Sequence, residues 1–150
     1  VGSEMCIRDS AYSIYEHSKL PLRVFEAARI ATAMINGCKI CMNWQSKRDV
    51  HQMGISDGVI NNGEAPDEDF YSNLLEENYD NLSSKELVAV KFAQAMGEDP
   101  KSLSRDEKFW AEVKSVFSDA EITDLTYCIA GWMGMGRVAH VLGLDQNCEI

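Results

Sequence analysis

Asn36-Gly37-Cys38-Lys39-Ile40-Cys41-Met42-Asn43-Trp44-Gln45 is the stretch that decides how this chain reads. Two thiols stand three residues apart, directly after an Asn-Gly pair. Glycine adopts the left-handed helix-ending conformation most easily, so Gly37 closes one helix and the next begins at Cys38. On a helix, thiols at i and i+3 face the same side. Unpaired N–H groups and the positive helix end stabilise a thiolate there. They lower a thiol pKa from about 8.5 toward neutrality. The second thiol can then resolve a sulfenic acid or a mixed disulfide. By this argument Cys38, nearer the helix end, is the more acidic of the two. Two plainer readings stand beside it. The cysteines can be packed and inert, or half of a zinc site, although no second Cys-x-x-Cys or His pair follows at zinc spacing.

The flanking sequence extends the pattern. Pro21 suits the first turn of a helix that runs to about Met34. Leu22, Phe25, Ile30 and Ala33 are its inward residues, with Arg23 and Arg29 as the charged flank. Glu26 lies one turn from Leu22 and from Ile30, so it shares their apolar face. It is a candidate proton acceptor if burial raises its pKa, and otherwise a salt-bridge partner of Arg23 or Arg29. The helix that begins at Cys38 is expected to run to Met53, with Gly54 ending it. Gln45 and Arg48 then follow Cys41 by one and two turns on its face. Gln45 can orient a water or peroxide but carries no proton. Arg48 can stabilise a thiolate or form a surface ion pair. His51 points away from the thiols, and His17 and His140 read as core or surface residues.

Beyond Gly54 the chain continues as helices. A short turn or helix covers 55–62, then a loop runs to Pro66. Asp67 caps a helix reaching about Tyr79. Ser83 with Glu86, Ser104 with Glu107, and Ser118 with Glu121 form capping boxes that open helices over 84–96, 105–116 and 119–142. The last is apolar on most sides, which places it centrally or at a subunit contact. No strand and no repeat is visible. The expectation is an all-α bundle of about six to seven helices with the Cys-x-x-Cys at a helix N-terminus.

Bulk properties bound the function. The chain has 150 residues, net charge −10 and five cysteines. The length gives one domain with a substantial core. The acidity speaks against nucleic acid and against anionic membrane surfaces. The uncharged run Leu125–Gly136 is too short to span a bilayer, which takes roughly 20 residues. Residues 1–10 read as a non-native leader, set apart from a domain over 11–150. An odd cysteine count without a secretory signal points to a reducing cytoplasm. Cys128 reads as an inert buried thiol. Cys148 lies near the C-terminus. Trp44, Trp110 and Trp132 read as core or subunit-contact residues.

Glu26, the run Asn36-Gly37-Cys38-x-x-Cys41, Gly54, Leu87, Phe92-Ala93 and Phe117-Ser118-Asp119-x-Glu121-Ile122 together resemble the carboxymuconolactone decarboxylase/alkylhydroperoxidase D-like family. The likeness covers roughly residues 20–145. It implies an all-helical subunit in trimers or hexamers. In the peroxidase branch it implies Cys41 as the thiol oxidised to a sulfenic acid, Cys38 as its resolving partner, and Glu26 in a proton relay. That pattern has a His where this chain has Gln45, so the relay lacks its middle member.

The expectation is therefore a cytoplasmic dithiol oxidoreductase that can reduce hydroperoxides. Cys41, Cys38 and Glu26 would be catalytic, with Gln45 and Arg48 shaping the pocket. It would need no cofactor and no metal, and an external dithiol would be the reductant. Two alternatives are a lyase acting through Glu26 on a lactone-like carbon acid, and a redox-sensing oligomer without turnover.

Overall fold

The computed structural model describes residues 3–145, and within them every regular element is helical. Nine α-helices run α1 (Ser3–His17), α2 (Leu22–Asn36), α3 (Lys39–Asn43), α4 (Ser46–Asp49), α5 (Glu68–Leu75), α6 (Ser84–Glu98), α7 (Pro100–Leu103), α8 (Glu107–Val116) and α9 (Asp119–Val141). Short 3-10 turns lie at Val50–Met53 and Val59–Asn61. Helix α1 crosses the boundary that composition draws at residue 10. Cys148 lies outside the described residues.

Helix α2 is the centre of the bundle. Twelve of its fifteen residues are buried, and it packs against α6, α9, α5 and α3. Only a helix enclosed on all sides buries residues around its whole circumference. The sequence pattern placed α9 either here or at a subunit contact. In fact α9 buries one side through Leu125, Cys128, Ile129, Trp132, Met133 and Gly136. Its other side leaves Tyr127, Val138 and Val141 exposed. Phe25 joins the two helices by an edge-to-face contact with Trp132, ring centroids 4.6 Å apart, and with Tyr15 of α1 at 5.4 Å.

Local chemistry sets most boundaries. Gly37 takes φ 65° and its N–H reaches back to the α2 carbonyls, as a glycine cap does. The boxes at Ser83/Glu86 and Ser118/Glu121 form, each with the serine and glutamate bonds both present. The Ser104/Glu107 box does not. Asp99 caps the extra short helix α7, and Asp106 caps α8 through Phe109 N–H. An Asp two residues after the Ser accepts the same kind of bond with a charged oxygen, and it wins. Helix α5 stops at Leu75, short of Tyr79, where Glu77 turns to φ 57°.

The expected helix from Cys38 to Met53 is broken. Only Lys39–Asn43 is helical in its first part, and Trp44 and Gln45 are extended. Arginine side chains cause the break. Arg29 donates to the carbonyl of Cys41 at 2.7 Å and to that of Trp44. Arg48 donates to the carbonyl of Asn43 at 2.6 Å. Carbonyls that would accept the next helical amides are thus taken by guanidinium groups. The amide of Gln45 bonds the Asp49 carboxylate, and that of Ser46 the Glu26 carboxylate.

Candidate functional site

Cys38 and Cys41 are joined as a disulfide, with Cα atoms 5.2 Å apart, within the range such bridges occupy. Cys38 is the N-cap residue of α3 and is fully buried. Cys41 is half-buried and lines a cavity of about 260 Å³. Helices α1, α2 and α9 supply most of the wall, through Tyr15, Arg29, Asn36 and Trp132 among others, and Ile40, Trp44 and Met53 complete it around Cys41. The wall is mostly hydrocarbon and aromatic, the character of a small-molecule site. Asn36 Oδ1 and the indole nitrogens of Trp44 and Trp132 are buried without a hydrogen-bond partner, and all three residues belong to this wall.

Glu26 does not line the cavity. It is fully buried, with Arg29 beside it at 3% exposure. Arg29 Nε and Nη2 donate to the two carboxylate oxygens at 2.7 and 2.9 Å. The Ser46 hydroxyl and the Tyr71 hydroxyl, the latter at 2.8 Å, donate as well. Burial pushes the Glu26 pKa up. The Arg29 charge and the bonds from Arg29, Ser46 and Tyr71 outweigh it, so the pKa falls below its ordinary value. The conditional expectation of a carboxyl raised by burial therefore fails, and the salt bridge to Arg29 is what forms. Arg23 goes elsewhere, to Glu86 at 2.6 Å. Arg29, read as charged flank, is a core residue that fastens α3 to α2. The signal was present as an acid and a base three residues apart on one helix.

The helix break also removes Gln45 and Arg48 from the face of Cys41. Gln45 Nε2 donates to Glu68 of α5 at 3.0 Å. Arg48 pairs with its neighbour Asp49 at 2.8 Å while half exposed, the plainer of its two readings. Neither side chain lines the cavity. The five-residue α3 also weakens the helix-end argument for Cys38, because the macrodipole of one turn is small. Cys41 is instead the sulfur that the cavity reaches.

Other candidates sort simply. His51 and His17 are exposed. Cys128 is buried, and burial, reinforced by Asp124, pushes its thiol well above the usual range. Trp110 packs on Phe92 and donates to the Leu103 carbonyl at 2.8 Å. His140 could not be placed from the sequence. It lies over Gly37, just before the first sulfur.

Among the described residues no group of three or more His, Cys, Asp or Glu side chains gathers as a metal site. No helix among them is long and apolar enough to cross a membrane. No protein-family model, curated protein or solved structure matches the chain.

Proposed function

We propose that this protein is a dithiol oxidoreductase working through Cys41 and Cys38, with organic hydroperoxides as candidate oxidants and an external dithiol as reductant. One observation carries the reading: the pair is close enough to bridge, and only its Cys41 side opens on the cavity. A reagent reaching the site meets Cys41 first. Attack by the Cys41 thiolate on a peroxide oxygen gives a sulfenic acid and releases an alcohol. The Cys38 thiol then displaces water to close the disulfide. The external dithiol returns two electrons by exchange. This assignment agrees with the role that the family resemblance gives Cys41.

Glu26 takes a different part from the one the resemblance implies. Ionised and enclosed, it holds Arg29, and Arg29 holds the carbonyls on the far side of Cys41. That is positioning, not proton transfer. The lyase reading needs a carboxylate free to take a substrate proton, and Glu26 is fully engaged.

Stopped-flow mixing of the reduced protein with cumene hydroperoxide tests the proposal. Loss of free thiol is expected in the wild type, with a trapped sulfenic acid in Cys38→Ser and no reaction in Cys41→Ser. No loss in the wild type, or equal loss in Cys41→Ser, would sink it.

A further inference from the structure

The dithiol has no proton-exchanging side chain from α2 or α4. Glu26 is enclosed, Gln45 is an amide, and Arg48 is bound to Asp49. The end of α9 brings one. His140 lies so close over Gly37 that a Cβ built there would meet its Cε1 and Nε2 at 3.4 Å. Its Nδ1 lies 3.0 Å from Asp145 Oδ2. The same oxygen accepts the amide of Lys39 at 3.1 Å, the first helical N–H after Cys38. Cys38, the N-cap residue, makes no side-chain cap of its own. Asp145 thus does two things: it caps α3 from 106 residues away, and it holds the imidazole with its Cε1–Nε2 edge toward Gly37.

We infer that the His140–Asp145 pair is a positioning and charge-supplying element for the buried sulfur, Cys38, during reduction of the disulfide. The inference rests on the dithiol reading above. An external thiolate attacks the Cys41 sulfur, and the S–S bond breaks. The bonding electron pair leaves on Cys38 as a thiolate, at a position fully buried in the bridged structure. A positive charge on His140, acting across Gly37, stabilises that anion and raises the rate of its departure. The second thiol of the reductant then displaces Cys41, so that the reductant loses two electrons and the protein gains two.

Among the described residues, the contacts place few charges near His140. Asp145 touches it, and Lys39 stands at the start of α3. Arg137 on α9 is turned to the Gly97 carbonyl. From α2, Glu26 and Arg29 neutralise each other and Arg23 is held by Glu86. Among the described residues, His140 is therefore the side chain against Gly37 whose charge can change.

The test is the rate of disulfide reduction by dithiothreitol as a function of pH, in the full chain carrying Cys6→Ser and Cys148→Ser, with rates referred to the thiolate concentration of the reductant. The wild type is expected to lose rate as pH rises through the imidazole titration. His140→Gln should be slower by roughly tenfold below that break and equal to wild type above it. Asp145→Asn keeps an oxygen to cap Lys39 but removes the carboxylate beside the imidazole, so its pH profile should differ in shape from the wild type's. Superimposable profiles, or a uniform slowing at every pH, would overturn the inference. Should His140→Gln fail to fold, an Asp145→Asn profile superimposable on the wild type's would by itself overturn the inference. Failure of the dithiol reading looks different: there the 38–41 bridge would not form reversibly at any pH.

Discussion

The guanidinium of Arg29 and the carboxylate of Glu26 face each other at 2.7 and 2.9 Å in the interior, three residues apart on α2. The pair has a second audience, because Arg29 also holds the carbonyls of Cys41 and Trp44. Removing either partner leaves a buried charge without its counter-ion, which costs about 3–5 kcal/mol. Glu26→Leu and Arg29→Met are each expected to lose that much by urea denaturation. The double variant should lose less than the sum, since no lone charge remains. Additive losses would show that the two side chains act separately.

Acid sensitivity follows from the same pair. The folded-state pKa of Glu26 lies below its ordinary value of 4.5. A carboxylate depressed in this way contributes stability that is fully present above its unfolded pKa. The contribution is lost as pH falls through the folded one. The stability difference between wild type and Glu26→Gln should therefore be constant above about pH 5 and shrink on acidification below about 4.5. Measuring both by chemical denaturation across pH 3 to 7 checks the sign. A gap that widens in acid would be the wrong direction.

Thiol labelling should separate the cysteines. In the bridged structure Cys41 lines the cavity, while Cys38 and Cys128 are buried. Iodoacetamide followed by peptide mapping, in the chain carrying Cys6→Ser and Cys148→Ser, is expected to modify Cys41 at least about tenfold faster than Cys38. Cys128 should react only on unfolding. Preferential labelling of Cys38 would reverse the order of attack proposed above.

Filling the cavity should discriminate by oxidant size. Ala33 and Ala139 are small residues of the wall. An Ala139→Leu change is expected to slow thiol oxidation by cumene hydroperoxide several-fold while leaving hydrogen peroxide little affected. Overpacking of this kind costs about 1–3 kcal/mol at most sites, so thermal unfolding should accompany the kinetics. Equal slowing with both oxidants would mean that the cavity is not the route to Cys41.

Gly58 is a separate constraint on the fold. Its φ is 96°, and a Cβ there would stand 2.4 Å from the Tyr15 carbonyl oxygen. That neighbour is backbone and cannot swing away. Gly58→Ala is expected to cost about 2 kcal/mol or more, combining the strained φ with displacement of α1. At Gly54, also at positive φ but with open space around it, only the strain should be felt. Comparing the two alanine variants by denaturant midpoint separates the two causes.

Short-range rules carried the sequence reading far. Gly37, Ser83, Asp67 and Ser118 end or begin helices where their chemistry says they should. Apolar periodicity was enough for the helical class. What it could not reveal is competition from distant side chains. A continuous helix through Trp44 and Gln45 breaks no local rule. It fails because Arg29, fifteen residues earlier, reaches the Trp44 carbonyl. The same blindness hid the site. The i,i+3 spacing placed Cys38 and Cys41 together, but His140 and Asp145 reach Gly37 and Lys39 only through the packing of α9 on α2. Gln45 and Arg48 were misplaced for the complementary reason, since their expected positions depended on the helix that does not form.

The bond between Asp145 and the Lys39 amide has a practical consequence for handling the molecule. Position 145 stands against the start of α3, next to the sulfur pair. A bulky label carried at position 145 itself would break that bond and disturb the N-terminus of α3. Labels are better carried on the Gly63 loop, where a built Cβ meets no neighbour.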